Sequence, residues 1–100
     1  MKTEIFNQYV DKVTNLFRIT KEELFSKSKK TTFADARHLL YYLCSQRNMK
    51  LITIQTLMGE NGYNVPHANV IHGITKIEGR IKDDKDYVQI IKNIENSVFI

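Results

Sequence analysis

The stretch Asn64–Asp84, NVPHANVIHGITKIEGRIKDD, joins a polar beginning to a regular apolar stripe. Proline is tolerated in the first turn of a helix, because the amide it lacks would be unpaired there anyway. The pattern therefore predicts a helix over 65–82 that begins around Pro66, with Asn64 as its N-cap. The apolar residues recur at helical spacing: Val70, Ile71, Ile74, Ile77 and Ile81.

The first turn of this helix carries His67 and Asn69, which lie off the apolar stripe. A helix N-terminus has free backbone N–H groups and a partial positive charge, both suited to phosphate. Asparagine can bond an adenine edge at two points in the major groove, and histidine can donate to a base or a phosphate. The turn is therefore a candidate for contacting DNA. The alternative is that both side chains only decorate a solvated helix end.

Helical spacing dominates the rest of the chain, and strand-type alternation is absent. Four further helical segments are predicted from their apolar faces and caps: one near 3–17, a short turn KEELF capped by Thr20 with Glu23 completing a capping box, FADARHLLYYLCSQR capped by Thr32, and a last helix capped by Asp84 with Tyr87, Ile90, Ile91 and Ile94 facing inward. We therefore expect one all-α domain over residues 1–100, a compact bundle of five to six helices.

A short helix capped by Thr53 precedes the opening stretch, so that segments 53–58, 59–63 and 65–82 form a helix-turn-helix candidate. Gly73 borders the apolar stripe and costs about 1 kcal/mol relative to alanine inside a helix. The compensation that we predict is close approach of the preceding short helix.

The net charge of +4 is concentrated in the middle of the chain. Residues 1–23, 24–76 and 77–100 carry 0, +5 and −1, from four basic and four acidic, seven basic and two acidic, and four basic and five acidic side chains. A basic zone between neutral flanks is typical of a surface that binds an anion, most often nucleic acid. The alternative is a basic solvated surface without a partner.

Other classes of protein find little support in the sequence. One cysteine, Cys44, gives no internal disulfide framework, and neither a membrane-length apolar run nor a signal peptide is present, so we expect a soluble cytoplasmic protein without a membrane partner. His67 and His72 are five apart and do not share a helical face, so no metal site is expected. No carboxylate pair or nucleophile is placed for catalysis, and no GxxxxGK[ST] loop occurs. We expect no enzyme and no cofactor.

Three stretches occur in order: LFSKSKK (Leu24–Lys30), ARHLLYYL (Ala36–Leu43) and HANVIHGITKIE (His67–Glu78). Together they resemble the C-terminal DNA-binding domain of DnaA, the bacterial chromosomal replication initiator, over about residues 6–95. The resemblance implies an all-helical fold whose helix-turn-helix places its second helix in the major groove. It also implies that a basic residue from an earlier loop enters the neighbouring minor groove.

The resemblance assigns roles to individual positions. Lys29 corresponds to the minor-groove arginine of the family, and Arg37 to an arginine that contacts phosphate. His67 corresponds to the histidine of the Asp-His-Thr-Thr signature, and His72 to a histidine farther along the same helix. The triplet Lys76–Ile77–Glu78 matches unchanged. Pro66, Ala68 and Asn69 depart from the other signature residues, so we expect DNA binding to be kept and the target sequence to differ.

The sequence therefore predicts specific binding of double-stranded DNA in replication or transcription control, with helix 65–82 in the major groove and loop 26–32 at the phosphates and minor groove. We expect a free-standing domain of the kind that a phage or mobile element carries. The alternative is an interaction module that binds a host replication initiator or related factor; such a module has no need of unpaired basic side chains. The predicted DNA contacts are Lys27, Lys29, Lys30, Arg37, Gln55, His67, Ala68, Asn69, His72 and Lys76.

Overall fold

The computed structural model describes residues 1–99, which form six α-helices and no strand. The predicted all-α architecture is therefore confirmed. The helices are α1 (Lys2–Phe17), α2 (Lys21–Leu24), α3 (Thr31–Gln46), α4 (Leu51–Glu60), α5 (His67–Asp83) and α6 (Lys85–Asn96).

The central helix is α3, which packs against α1 on one side and α5 on another. Its contribution to the core includes Leu39, Leu40, Leu43 and Cys44, all fully buried. Burial of apolar side chains of this size stabilises a fold by about 1.5–3 kcal/mol each. Because α5 is held on its α3 side, Val70 is fully buried and the opposite side of the helix stays open to solvent.

Two of the predicted helix caps are confirmed. The Thr20 hydroxyl accepts a hydrogen bond from the Glu23 amide at 3.0 Å, and the Glu23 carboxylate accepts one from the Thr20 amide at 2.9 Å. The Asp84 carboxylate accepts hydrogen bonds from the amides of Asp86 and Tyr87 at 3.0 and 3.1 Å. In the last helix Tyr87 and Ile91 are buried, as predicted.

The caps predicted at Thr32, Thr53 and Asn64 are wrong. The helices begin at Thr31, Leu51 and His67 instead, and none of the three has a side-chain cap hydrogen bond. Packing extends α4 towards its N-terminus, because Leu51 lies against the core. α5 begins late because Pro66 has an extended conformation, with φ −65° and ψ 149°, and the residue before a proline is also biased away from the helical region.

Gly73 marks a close approach of two helices, but not the two that the sequence suggested. A Cβ added to Gly73 would lie 2.8 Å from ring carbon Cδ2 of both His38 and Tyr41, and 3.3 Å from the His38 Cα. The helix that approaches is therefore α3 and not α4. Gly73 thus lies in the contact between α5 and α3, whereas Ile71 of the predicted stripe is 45% exposed.

None of the helices described is both long enough and apolar enough to span a bilayer.

Candidate nucleic-acid interface

The first turn of α5 faces solvent. His67, Ala68 and Asn69 are all exposed, whereas Val70, the next residue, is fully buried. The segment 61–66 that joins α4 to α5 turns at Gly62, whose φ of 85° is unfavourable for other residues. The helix is thus anchored one residue after the three side chains that it presents.

Gln55, on α4, connects the two helices of the helix-turn-helix. Its side-chain amide donates to the Val65 carbonyl at 3.0 Å, and its Oε1 lies 3.4 Å from the His67 Nδ1. The contact with DNA predicted for Gln55 remains a prediction. In the structure Gln55 links α4 to the backbone just before α5 and lies beside the His67 ring.

The segment between α2 and α3, residues 25–30, is referred to here as the basic loop. Its side chains Lys27, Lys29 and Lys30 are exposed. In the described part of the chain, the one ion pair within 4.0 Å joins Lys21 and Asp11, at 3.2 Å. The three lysines of the basic loop therefore have no acidic partner there, and the Lys30 Nζ lies 5.3 Å from the centroid of the Phe33 ring.

Arg37 is not on the open surface. Its side chain is only 5% exposed. Nε donates to the Leu24 carbonyl at 2.6 Å, and Nη2 donates to the carbonyls of Ser26 and Ser28 at 2.5 and 3.1 Å. This placement does not fit the direct phosphate contact that the resemblance implies, because the guanidinium donors are already directed at backbone oxygens.

Tyr63 completes the surroundings of Arg37 and was not among the predicted site residues. The Arg37 Cζ lies over the Tyr63 ring, 4.7 Å from its centroid. The local signal for such a residue is weak: an aromatic directly after the turn glycine Gly62. Its partner is far away in the sequence, so the pattern alone does not reveal the contact.

A groove of about 410 Å³ lies between the start of α3, the segment 61–66 and the first turns of α5. It brings together four predicted residues from distant stretches: Lys29 from the basic loop, Arg37 from α3, and Asn69 and His72 from α5. Lys27 lines a neighbouring depression that it shares with residues 62–64. Lys76 is exposed one turn beyond His72.

His38 forms part of the wall of this groove. Its ring meets that of His72 edge to face, with centroids 5.7 Å apart and an angle of 83° between the planes. Burial lowers the pKa of His38; Asp35 opposes this effect, and the nearby His72 and Lys76 add to it. Because the pKa is lowered from an ordinary value of 6.5, the His38 ring is neutral at pH 7. At that pH His38 adds no charge to the groove, whose lining includes the cationic side chains of Lys29 and Arg37.

Chemistry of other kinds finds no support in the geometry. Within residues 1–99, no three His, Cys, Asp or Glu side chains form a group that could hold a metal ion. Burial raises the pKa of the Cys44 thiol to about 12, so this cysteine stays protonated at neutral pH. Cys44 is thus a core residue and not an activated nucleophile.

Comparison with known proteins gives matches to one family. The family model described as bacterial DnaA protein helix-turn-helix matches residues 7–77. The chromosomal replication initiator protein DnaA of Lachnoclostridium phytofermentans is 29% identical over 91 residues, which cover 90% of this chain and 19% of that protein. The chain therefore spans about a fifth of the length of this relative. No solved structure gives a significant match.

The family match runs from α1 into α5 and includes every residue of the groove. It agrees with the arrangement of the helices, in which segment 61–66 joins α4 to α5 and α5 exposes its first turn. Because the match covers well over half of the chain, this chain belongs to the bacterial DnaA helix-turn-helix family.

Proposed function

We propose that this chain binds double-stranded DNA at specific sequences, in control of replication or transcription. In this proposal the first turns of α5 lie in the major groove, and the basic loop lies at the phosphates and the adjacent minor groove. The observation that carries the proposal is the groove in which Lys29, Asn69 and His72 meet, although they come from two distant stretches of the chain.

The shape of α5 supports major-groove binding. The major groove of B-DNA admits one α-helix, and helix-turn-helix proteins contact bases through the N-terminal residues of their second helix. In α5 those residues are His67, Ala68 and Asn69, all exposed, whereas the side facing α3 is buried. The helix can therefore present its first turn to DNA without unpacking from the core.

The charge of the basic loop supports phosphate binding. Lys27, Lys29 and Lys30 are exposed without acidic partners in the described part of the chain. Lysine side chains that neutralise phosphates release counterions, which makes affinity depend on salt. A basic loop beside an exposed helix N-terminus provides the phosphate contacts that position a protein on a duplex, and the helix provides the base contacts.

Titration of a labelled duplex at several salt concentrations tests the proposal, once selection from a random DNA pool has supplied the preferred site. With about four to six neutralised phosphates, log affinity should fall against log salt with a slope of roughly −4 to −5. Replacing Lys27, Lys29 and Lys30 by glutamine should make this slope shallower by roughly 2–3.

The matched control replaces Lys82, Lys85 and Lys92 by glutamine. These lysines are exposed near the end of α5 and in α6, so the control removes the same charge far from the groove. Its slope should stay close to that of the natural sequence. Salt-insensitive binding, or no binding at low salt, would contradict the proposal and leave a host replication factor as the partner to be tested.

A further inference from the structure

We infer that Arg37 and Tyr63 are positioning residues that fix the basic loop relative to the first turn of α5. This inference rests on the DNA binding proposed above and assigns a task to two residues that need not touch DNA. The proposed contacts with the major groove and the minor groove of DNA both depend on the distance between Lys29 and Asn69. The contacts of Arg37 and Tyr63 determine that spacing.

The Arg37 side chain holds the basic loop by its backbone. Nε donates to the carbonyl of Leu24, the last residue of α2, at 2.6 Å. Nη1 and Nη2 donate to the Ser28 carbonyl at 3.2 and 3.1 Å, and Nη2 also donates to the Ser26 carbonyl at 2.5 Å. A guanidinium presents its donors in a rigid planar fork, so one side chain fixes three carbonyls at once.

Tyr63 joins this arrangement to the helix-turn-helix. It lies in the segment 61–66, where its amide donates to the Met58 carbonyl at 3.0 Å. The Arg37 Cζ lies 4.7 Å from the centroid of its ring, a distance at which a guanidinium is attracted to an aromatic face. The guanidinium therefore contacts the basic loop through its N–H groups and the helix-turn-helix through the Tyr63 ring.

The burial of Arg37 favours a positioning task over a direct contact with phosphate. The side chain is 5% exposed, and a buried charged group is stable only where its donors are satisfied. Withdrawing the guanidinium towards a phosphate would leave the carbonyls of Leu24, Ser26 and Ser28 without their donor. Arg37 starts from α3, so the loop is held against the helix that packs between α1 and α5.

The variant Arg37→Lys separates the two roles, because lysine keeps the charge and loses the planar fork. Hydrogen exchange of amides 24–30 should become at least about tenfold faster in the free protein, since several hydrogen bonds to the loop are lost. The preference for bases at the loop side of the DNA site should fall by about tenfold, whereas the salt slope should stay unchanged. If Arg37 instead contacted phosphate, the lysine variant would keep its site preference and its loop protection.

The matched control is Arg80→Lys. The Arg80 Cζ lies over the Tyr87 ring at 4.5 Å, between α5 and α6, so this variant disturbs a similar arginine–tyrosine contact away from the basic loop. Exchange of amides 24–30 and site preference should both stay at the values of the natural sequence.

Tyr63 provides a second, milder test that holds even if the arginine variant does not fold. Tyr63→Leu leaves the hydrogen bonds of Arg37 in place and removes the aromatic face, so both effects should appear in the same direction at about threefold. Tyr63→Phe keeps the ring and should restore the natural behaviour. A general loss of stability would speed exchange throughout the chain, whereas loss of the contact with Arg37 should speed it mainly at amides 24–30.

Several results would overturn the inference. Natural loop protection in both Arg37→Lys and Tyr63→Leu would show that these residues do not hold the loop. Faster exchange with an unchanged site preference would show that loop order has no effect on DNA recognition. Failure of the natural sequence to bind any duplex would remove the proposed function, and with it the effect on DNA, whereas the exchange data would still decide whether the two residues hold the loop.

Discussion

Asn69 stands, by the resemblance described above, where the family signature has a threonine; it is exposed in the first turn of α5 and lines the groove with Lys29 and His72. Under the proposed function its carboxamide suits an adenine edge. We expect Asn69→Ala to lower discrimination at one or two adjacent base pairs by about 1–3 kcal/mol and to leave the salt slope nearly intact. Titration against single-base variants of the selected site measures this.

The control for that substitution is Asn93→Ala, which removes the same group from the exposed side of α6. A second comparison uses the short initiator box that, by the resemblance described above, DnaA domains with the unchanged signature recognise. Because Pro66, Ala68 and Asn69 all depart from the signature, we expect the selected site to bind at least about 10²-fold more tightly than that box. Equal or tighter binding to the unmodified box would show that these substitutions do not affect recognition.

Lys29 lies in the basic loop, exposed at the edge of the groove. In a minor groove, A·T and G·C pairs are distinguished only coarsely, and groove width attracts basic side chains. We expect Lys29→Ala to weaken binding, to make the salt slope shallower by about 1 and to relax the preference for one A·T-rich edge of the site. Titration with duplexes altered at that edge provides the measurement, with Lys92→Ala as the control. A loss that is equal for all sequences would place Lys29 at a phosphate alone.

The residue types of this site could be predicted from the sequence, but the use of their donors could not. Lys29 and Asn69 stand in exposed segments, which polar composition already indicates. Arg37 gives the same sequence signal as an exposed arginine, yet its partners are backbone carbonyls of the basic loop. Backbone carbonyls are the same for every residue type, so no pattern of side chains predicts a contact with them.

Between helices, the contact of α5 with α3 depends on Gly73. We expect Gly73→Ala to destabilise the fold by about 1–2 kcal/mol, because overpacking of about 1–3 kcal/mol exceeds the gain of up to about 1 kcal/mol in helix propensity. The new Cβ would lie 2.8 Å from rings of His38 and Tyr41. Urea unfolding measures the free energy of unfolding.

Gly79 gives the matched control in the same helix, since nothing lies within 4 Å of a Cβ added there. Gly79→Ala should stabilise the fold by up to about 1 kcal/mol through helix propensity. If both alanine variants proved more stable than the natural sequence, the approach of α3 to α5 would be looser than the structure shows.

The starts of the helices show which local sequence signals are sufficient to predict where a helix begins. The caps at Thr20 and Asp84 were predictable because a cap joins a side chain to amides two or three residues away. The start of α4 depends on packing of Leu51 against residues far away in the sequence, which a local pattern does not contain. The sequence pattern predicts Asn64 as the cap of α5, but the extended conformation of Pro66 delays the start of the helix to His67.

For the molecule as one folding unit, helical periodicity was sufficient to predict the class, because each apolar stripe marks the side that enters the core. An apolar stripe does not indicate which helix it packs against. For this reason the sequence predicts α4 as the helix that approaches Gly73, whereas in the structure it is α3. The distribution of charge could likewise be predicted only in part. The basic middle of the chain was visible from the sequence, but only the fold brings the basic loop beside α5.

Stability should fall in alkaline solution because the core holds acidic groups in their neutral form. Burial raises the pKa of Cys44 to about 12 and also raises those of Tyr9, Tyr41 and Tyr87. In the unfolded chain these groups lose protons from about pH 8.5 upward, so the unfolded state binds fewer protons than the folded state. The free energy of unfolding should therefore decrease as pH rises, by about 1–2 kcal/mol from Cys44 alone between pH 8 and pH 10.

Urea unfolding at a series of pH values measures this decrease, and Cys44→Ala isolates the thiol. The alanine variant should be less stable at pH 7, because a buried sulfur is removed, but its stability should depend less on pH. A free energy of unfolding that stays constant to pH 10 would mean that the thiol ionises inside the fold without cost.

The residues proposed to contact bases and those that hold α5 in the core follow one another along the same helix but differ in exposure. His67, Ala68 and Asn69 face solvent, and Val70, Gly73 and Ile77 are buried. Mutations at the three exposed positions can therefore accumulate in a lineage while each successive variant stays folded. Under the proposed function, descendants of one ancestral domain can come to recognise new DNA sequences while keeping the same fold. A library randomised at these three positions should therefore consist mostly of folded proteins.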